Sequence, residues 1–276
     1  MKLRMILISA LIGHLCSCSP NNIEEDQSLG KYFTGNNVTG CFGLYNNSTN
    51  RFILYNQKRF ADTSFLPAST FKIVNSLIGL QTGVIINDSM IIKWDSVQRN
   101  VDAWNEDLSM YEAFRVSAVP YYQEVARRIG KERMEQWLDT INYGAGPEDT
   151  VFRINTAIDT FWLDNTLKIT ADEQLWLMKL LYFNQLPFFK RYQETVKRAM
   201  LFENETTHRL AYKTGWGRNE KGNQLAWIVG WVEENNHPYF FALNFESPDS
   251  NADIPAIRMR ILKGILTQLG FFKGKM

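Results

Sequence analysis

Leu225-Ala226-Trp227-Ile228-Val229-Gly230-Trp231-Val232 is an uncharged, almost wholly apolar run of eight residues. Glu233-Glu234-Asn235-Asn236 follows, and then a second run, Tyr239-Phe240-Phe241-Ala242-Leu243-Asn244-Phe245. Short runs rich in β-branched and aromatic side chains, joined by four polar residues, predict two strands of a hairpin. Leu210–Gly215 predicts a third strand just before them. Runs this apolar imply a sheet covered on both faces. A helix is predicted from Asp253 to Leu269, with Gly270 as its stop. Ile254, Ile257, Ile261, Ile265 and Leu269 recur at three and four, giving one stripe to lay on that sheet.

Towards the N-terminus the same signals recur. Gly40–Tyr45 and Arg51–Tyr55 predict a hairpin around the turn chemistry of Asn46–Asn50. Residues 66 to about 205 are mainly helical in pattern. Pro67 suits a helix start and Ser69–Leu80 follows it, with Gly83 beyond the end. Tyr121–Ile129 and Glu132–Ile141 are two more helices, separated by Gly130. Thr170-Ala171-Asp172-Glu173 is a capping box opening a helix with Leu175, Met178 and Leu181 on one side and Pro187 at its end. The order strands, helices, strands, helix gives an α+β class. An antiparallel sheet is flanked by N- and C-terminal helices, with a mainly helical lobe inserted. The cleft between lobes is the default ligand site.

The chain has 276 residues, 45% of them hydrophobic, and a formal net charge of +1. That excludes a disordered chain and offers no basic face for nucleic acid. Met1-Lys2-Leu3-Arg4 followed by a short apolar stretch to Leu15 predicts a secretory signal over 1–17. Leu15-Cys16-Ser17-Cys18 resembles a bacterial lipoprotein box with Cys18 as lipid acceptor; a soluble periplasmic protein cut nearby is the plainer alternative. Without residues 1–17, and so without Lys2 and Arg4, 28 basic residues face 29 acidic ones, a net charge of −1. Residues 18–35, polar and acidic, are expected to be a tether ahead of a single two-lobed domain over 36–276. Cys41, in an apolar run, is expected to be a buried structural thiol. His208 and His237 are scattered and give no metal site.

Three short motifs carry chemistry. In Ser69-Thr70-Phe71-Lys72, serine and lysine share one helix face. A serine needs a base to become a nucleophile, and burial would make the lysine neutral enough to help. Roughly one Ser-x-x-Lys is expected by chance in such a chain, so a surface serine and a solvated lysine stay possible. Ser117-Ala118-Val119 offers a second hydroxyl for proton transfer, or merely a helix cap. Lys213-Thr214-Gly215, followed by Trp216, places a cation and a hydroxyl on a strand where they can hold a carboxylate. It is also what an ordinary strand end could carry.

The three motifs in this order resemble the serine β-lactamases and penicillin-binding proteins. Ser-x-Val in the middle, with Phe65-Leu66-Pro67-Ala68-Ser69-Thr70-Phe71-Lys72-Ile73, is similar to the class D β-lactamases, the oxacillinase family. Phe161-Trp162-Leu163, Leu186-Pro187-Phe188 and Trp227–Val232 resemble family segments as well. Tyr143-Gly144-Ala145 departs from the family's Tyr-Gly-Asn. The resemblance implies a β-lactamase/transpeptidase-like fold and a small-molecule β-lactam substrate. It implies Ser69 as nucleophile, Lys72 carboxylated by carbon dioxide as general base, and Trp162 as donor to that carbamate. Ser117 would relay a proton and Val119 would wall the base from water. Lys213, Thr214 and Gly215 would hold the substrate. The N–H groups of Ser69 and Trp216 would form the oxyanion hole, Arg258 would bind the substrate carboxylate, and Trp104 would line the cleft. No metal and no bound cofactor beyond carbon dioxide or bicarbonate is implied. The expected location is the periplasm, with membrane contact only through lipid, as a monomer or homodimer. A β-lactam sensor or a cell-wall peptidase with slow deacylation is the alternative.

Overall fold

The computed structural model describes residues 22–144 and 152–273. The expected signal, Cys18 and Ala145 lie outside them. In chain order the elements are β1 (Ile23–Glu25), α1 (Gly30–Thr34), β2 (Thr39–Asn46), β3 (Arg51–Tyr55), α2 (Gln57–Asp62) and α3 (Lys72–Gln81). There follow β4 (Ile91–Ile92), β5 (Leu108–Ser109), α4 (Met110–Arg115), α5 (Val119–Ile129), α6 (Lys131–Thr140), α7 (Ala171–Tyr182) and α8 (Lys190–Met200). The chain then runs through β6 (Leu201–Asn204), β7 (Arg209–Arg218), β8 (Gln224–Glu234), β9 (His237–Ser247) and α9 (Ile254–Gln268).

Seven strands form one sheet in the order β1-β3-β2-β9-β8-β7-β6. All its pairings are antiparallel except β1 with β3. The first hairpin therefore joins the last three strands through β2 and β9, as the chain order suggests. Asn235 and Asn236 both take positive φ, 51° and 63°. The tight β8–β9 turn demands that conformation, and asparagine tolerates it.

β8 is buried at all its positions. Its alternation divides the core. Leu225, Trp227, Val229 and Trp231 face the helical lobe, while Ala226, Ile228 and Val232 face α1 and α9. The buried stripe of α9 is Ile254, Arg258, Ile261, Leu262, Ile265 and Leu266. Ile257 and Leu269 sit on its flank, half-buried. The stripe is thus rotated from the isoleucine row and carries an arginine inward.

Three expectations are corrected. The tether is not free over 23–34: Ile23–Glu25 pairs with Phe52–Leu54, and Leu29 and Phe33 are buried under the sheet. Its few apolar residues sit where two elements need them, which composition alone hid. Pro187 does not end α7, which stops at Tyr182, with Asn184 left-handed at φ 56°. The capping box at Thr170 does form, with both reciprocal bonds to Glu173. Ser117 is not a helix cap, because Ala118 takes that position before α5.

Candidate active site

The nucleophile motif is built as a 3₁₀ turn over Ala68–Phe71 that runs into α3. Ala68 is left-handed, φ 49°, a conformation costing a non-glycine residue about 1–3 kcal/mol. Several bonds hold it. Ala68 N–H donates to Trp162 O at 3.1 Å and Thr70 N–H donates to Pro67 O at 3.2 Å. β7 presses on the turn from below. A Cβ on Gly215 would stand 2.9 Å from Pro67 O, so the strand approaches this closely only with glycine there. Ser69 N–H has no backbone partner among the described residues.

Lys72 Nζ donates to Ser69 Oγ at 2.7 Å. The lysine is fully buried, with the Tyr122 ring 5.6 Å away and no carboxylate partner among the described residues. The Tyr122 hydroxyl is bonded to Ser76 instead. Burial alone lowers the Lys72 amine to about 7. In its neutral form that nitrogen carries a lone pair able to take the Ser69 proton or attack an electrophile. Trp162 is fully buried, stacked on Phe71 at 5.3 Å between centroids. Its indole Nε1–H has no acceptor among the described residues, which costs about 1–3 kcal/mol unless an acceptor arrives.

A second serine–lysine pair faces the first. Ser117, left-handed at φ 57°, links α4 to α5. Lys213 Nζ on β7 donates to Ser117 Oγ at 2.9 Å and to Thr214 O at 3.1 Å. Burial pushes the Lys213 amine far down, and the charges of Lys72, Arg258 and Arg115 push it further. Arg258 is buried on α9, donating from Nη1 to Gly215 O at 3.1 Å. Its Nε is buried without a partner among the described residues, and burial lowers the guanidinium to about 10. None of these three cations has a carboxylate partner among the described residues, so the cluster suits an anion.

The outer edge of β7 completes the site. β6 pairs with β7 only as far as Ala211, leaving the rest of that edge unpaired. Asn219 N–H donates to Asn223 O at the hairpin end. Alternation from that pair makes Trp216:Ala226 a non-hydrogen-bonded pair. Trp216 N–H therefore points away from β8, toward the nucleophile turn. Its ring is half exposed and donates to Gln224 Oε1 at 3.0 Å. Thr214 precedes Gly215 on the same edge. Trp104 donates from its indole to Val116 O at 3.0 Å, next to Ser117, and Val119 is half-buried at the start of α5. A groove of about 380 Å³ is lined by Trp94, Trp104, Pro120 and Tyr121, and by neither Lys72 nor Lys213.

The sequence of residues 34–267 matches the penicillin-binding protein transpeptidase domain. The chain is 37% identical over 264 residues to beta-lactamase OXA-48 of Klebsiella pneumoniae, covering 96% of this chain and 95% of that one. The chain belongs to the class D β-lactamase family. The class D β-lactamase FUS-1 (OXA-85) of Fusobacterium nucleatum superposes with a TM-score of 0.83 at 35% identity, over 91% of this chain and all of that one. The C-terminal domain of the BlaR penicillin-receptor of Bacillus licheniformis superposes with a TM-score of 0.82 at 28% identity, over 92% and 98% of the two chains.

This class D β-lactamase family member is a serine hydrolase, and its chain brings together Ser69, Lys72, Ser117, Lys213, Trp162 and Arg258 as described. Of the departing Tyr143-Gly144-Ala145 segment, Tyr143 is buried with its hydroxyl against Thr70 and Gln174, and Gly144 is left-handed at φ 73°. Two residues at the site were missed. Thr70 Oγ1 donates to Pro67 O at 2.7 Å, and Gln174 Nε2 donates to Thr70 Oγ1 at 2.7 Å. One signal was available: Gln174 is a polar residue on the inward stripe with Met178 and Leu181.

Proposed function

We propose that this protein hydrolyses β-lactam antibiotics through an ester on Ser69, with Lys72 carboxylated as the general base, and thereby confers resistance. The observations that carry the lysine's role are an amine lowered to about 7 by burial and, stacked on the adjoining Phe71, a buried indole donor that lacks an acceptor among the described residues. Only a neutral amine attacks carbon dioxide, and the Trp162 N–H would satisfy an oxygen of the product. When present, that group supplies a carboxylate-like base at the end of Lys72.

Ser69 Oγ then loses its proton as it attacks the lactam carbonyl carbon. The carbonyl oxygen becomes an oxyanion held by the N–H groups of Ser69 and Trp216. As the ring C–N bond breaks, Ser117 passes its proton to the nitrogen and is reprotonated from Lys213, which lies 2.9 Å away. Arg258, Lys213 and Thr214 hold the substrate carboxylate. Val119 limits water beside Lys72, and Trp104 borders the cleft. The Ser69 proton is taken at Lys72 and returned to Lys213; water then attacks the ester, its proton is taken at Lys72 as well, and that proton passes to Ser69 Oγ as the acid leaves.

The likeness to the penicillin-receptor domain supports a second reading, a sensor that is acylated and hardly released. Turnover of a chromogenic cephalosporin by the chain without its first 18 residues separates the two. Many turnovers per chain, absent in Ser69→Ala and raised by bicarbonate, are expected. A single stoichiometric event would sink the hydrolase and favour the sensor. For the carbamate alone, bicarbonate should raise the thermal midpoint of the wild type and leave Lys72→Met unmoved. The N-terminal residues support an exported, periplasmic protein held to a membrane by lipid on Cys18. Mass spectrometry of the mature N-terminus tests that reading, and an unlipidated terminus would overturn it.

A further inference from the structure

The 3₁₀ turn that presents Ser69 is held from one side by a group with no part in the chemistry above. Thr70 has a single hydroxyl proton, and it is used on Pro67 O at 2.7 Å. Any further bond to Thr70 Oγ1 must come from a donor. Gln174, fully buried one turn into α7, gives its Nε2–H at 2.7 Å. That bond fixes the carboxamide orientation at Thr70. The buried Tyr143 hydroxyl lies against the same pair, within reach of Thr70 and Gln174. The three side chains form one buried polar cluster behind the turn. The bond does reach the strained segment. Pro67 O, on which Thr70 closes, precedes left-handed Ala68, and Ser69 comes next.

We propose that Gln174 is a positioning residue for the reaction. Through Thr70 it locks the Pro67–Ala68–Ser69 turn, so that Ser69 Oγ stays on Lys72 and Ser69 N–H stays turned to the oxyanion. The inference rests on acylation of Ser69 and deepens that reading. It links α7, an element that contributes no reacting group, to the nucleophile. Since both chemical steps use the same oxyanion pocket, both slow together when the lock is lost. Misplacing a reacting group by a fraction of an ångström is worth about 10- to 100-fold.

The test uses Gln174→Met, which keeps length and volume but cannot donate, with Thr70→Val and the double variant. Each is treated with a fluorescent penicillin, and acylation and release rates are expressed per site labelled at completion. That normalisation removes any misfolded fraction. The expected result is a loss of about 10-fold or more in both rates for each single variant. The double variant should be no slower than the worse single one, because both remove the same bond. Single variants within twofold of wild type per labelled site, or losses that multiply, would overturn the proposal. If Gln174→Met yields no folded protein, Thr70→Val alone decides, by the same twofold limit. A wild type that took no label would overturn the acylation reading and this inference with it. A labelled wild type matched by its variants would overturn this inference alone.

Discussion

The two serine–lysine pairs are alike in distance and different in origin. Ser69 and Lys72 are three residues apart and meet at 2.7 Å because one helical turn puts them there. Ser117 and Lys213 are 96 residues apart and meet at 2.9 Å only because the helical lobe closes on β7. Both lysines are buried, yet their fields differ. Lys72 is lowered by desolvation, and Lys213 also feels Lys72, Arg258 and Arg115. Burial thus lowers both amines, and at Lys213 neighbouring positive charge adds to the lowering, which an anionic substrate would offset. A local pair makes the reagent, and a long-range pair makes the receptor.

Breaking the local pair should have the largest effect. Lys72→Ala should slow deacylation by about 10³-fold or more while some acyl-enzyme still forms. Intact-mass measurement after mixing with a penicillin should show the adduct persisting, and rapid clearance would count against a base at Lys72. Breaking the long-range pair should come next. Lys213→Ala should lower kcat/KM by about 10²-fold. The loss should be smaller for an ester of the same β-lactam, whose carboxylate is masked; equal losses on both would refute the receptor role. Trp162→Phe should weaken the bicarbonate response by about 10-fold, a range usual for a supporting donor, read as the bicarbonate concentration for half-maximal rate.

The smallest effect sharpens the comparison through stability. With bicarbonate removed, Lys72 is about 7 in the fold against 10.5 unfolded. Between those values the unfolded chain binds the extra proton, so this group's penalty grows as pH falls from 10.5 and is complete below about 7. Lys72→Met should therefore be more stable than wild type at pH 7, by about 5 °C in Tm. The gain should shrink toward pH 10 in calorimetry. A gain that instead grew with pH would contradict a neutralised lysine.

The same contrast explains what the sequence disclosed. Apolar-run signals located β7, β8 and β9, and a row of isoleucines located α9. Spacing alone paired Ser69 with Lys72. Spacing could not pair Ser117 with Lys213, or aim Arg258 inward from the helix stripe, because tertiary packing places them. The family resemblance named those residues, and the fold then supplied their neighbours. Gln174 and Thr70 escaped both routes. Their bond spans 104 residues, and a glutamine on an apolar stripe looks like an imperfection until its partner is known. The edge strand Ile23–Glu25 escaped because three residues are too few to carry a period.

The pairing of β2 with β9, the central strand of the sheet, has a consequence for how the chain reaches this form. β2 is complete by Asn46, yet its neighbour β9 runs from His237 to Ser247. A ribosome must therefore emit nearly the whole chain before that central seam can form. Closing so long a loop is slow, and during the wait the apolar edge of β2 is open to wrong partners. The polypeptide stays without a complete sheet core until its last fifth is made, so its apolar strands must wait out that interval unpaired.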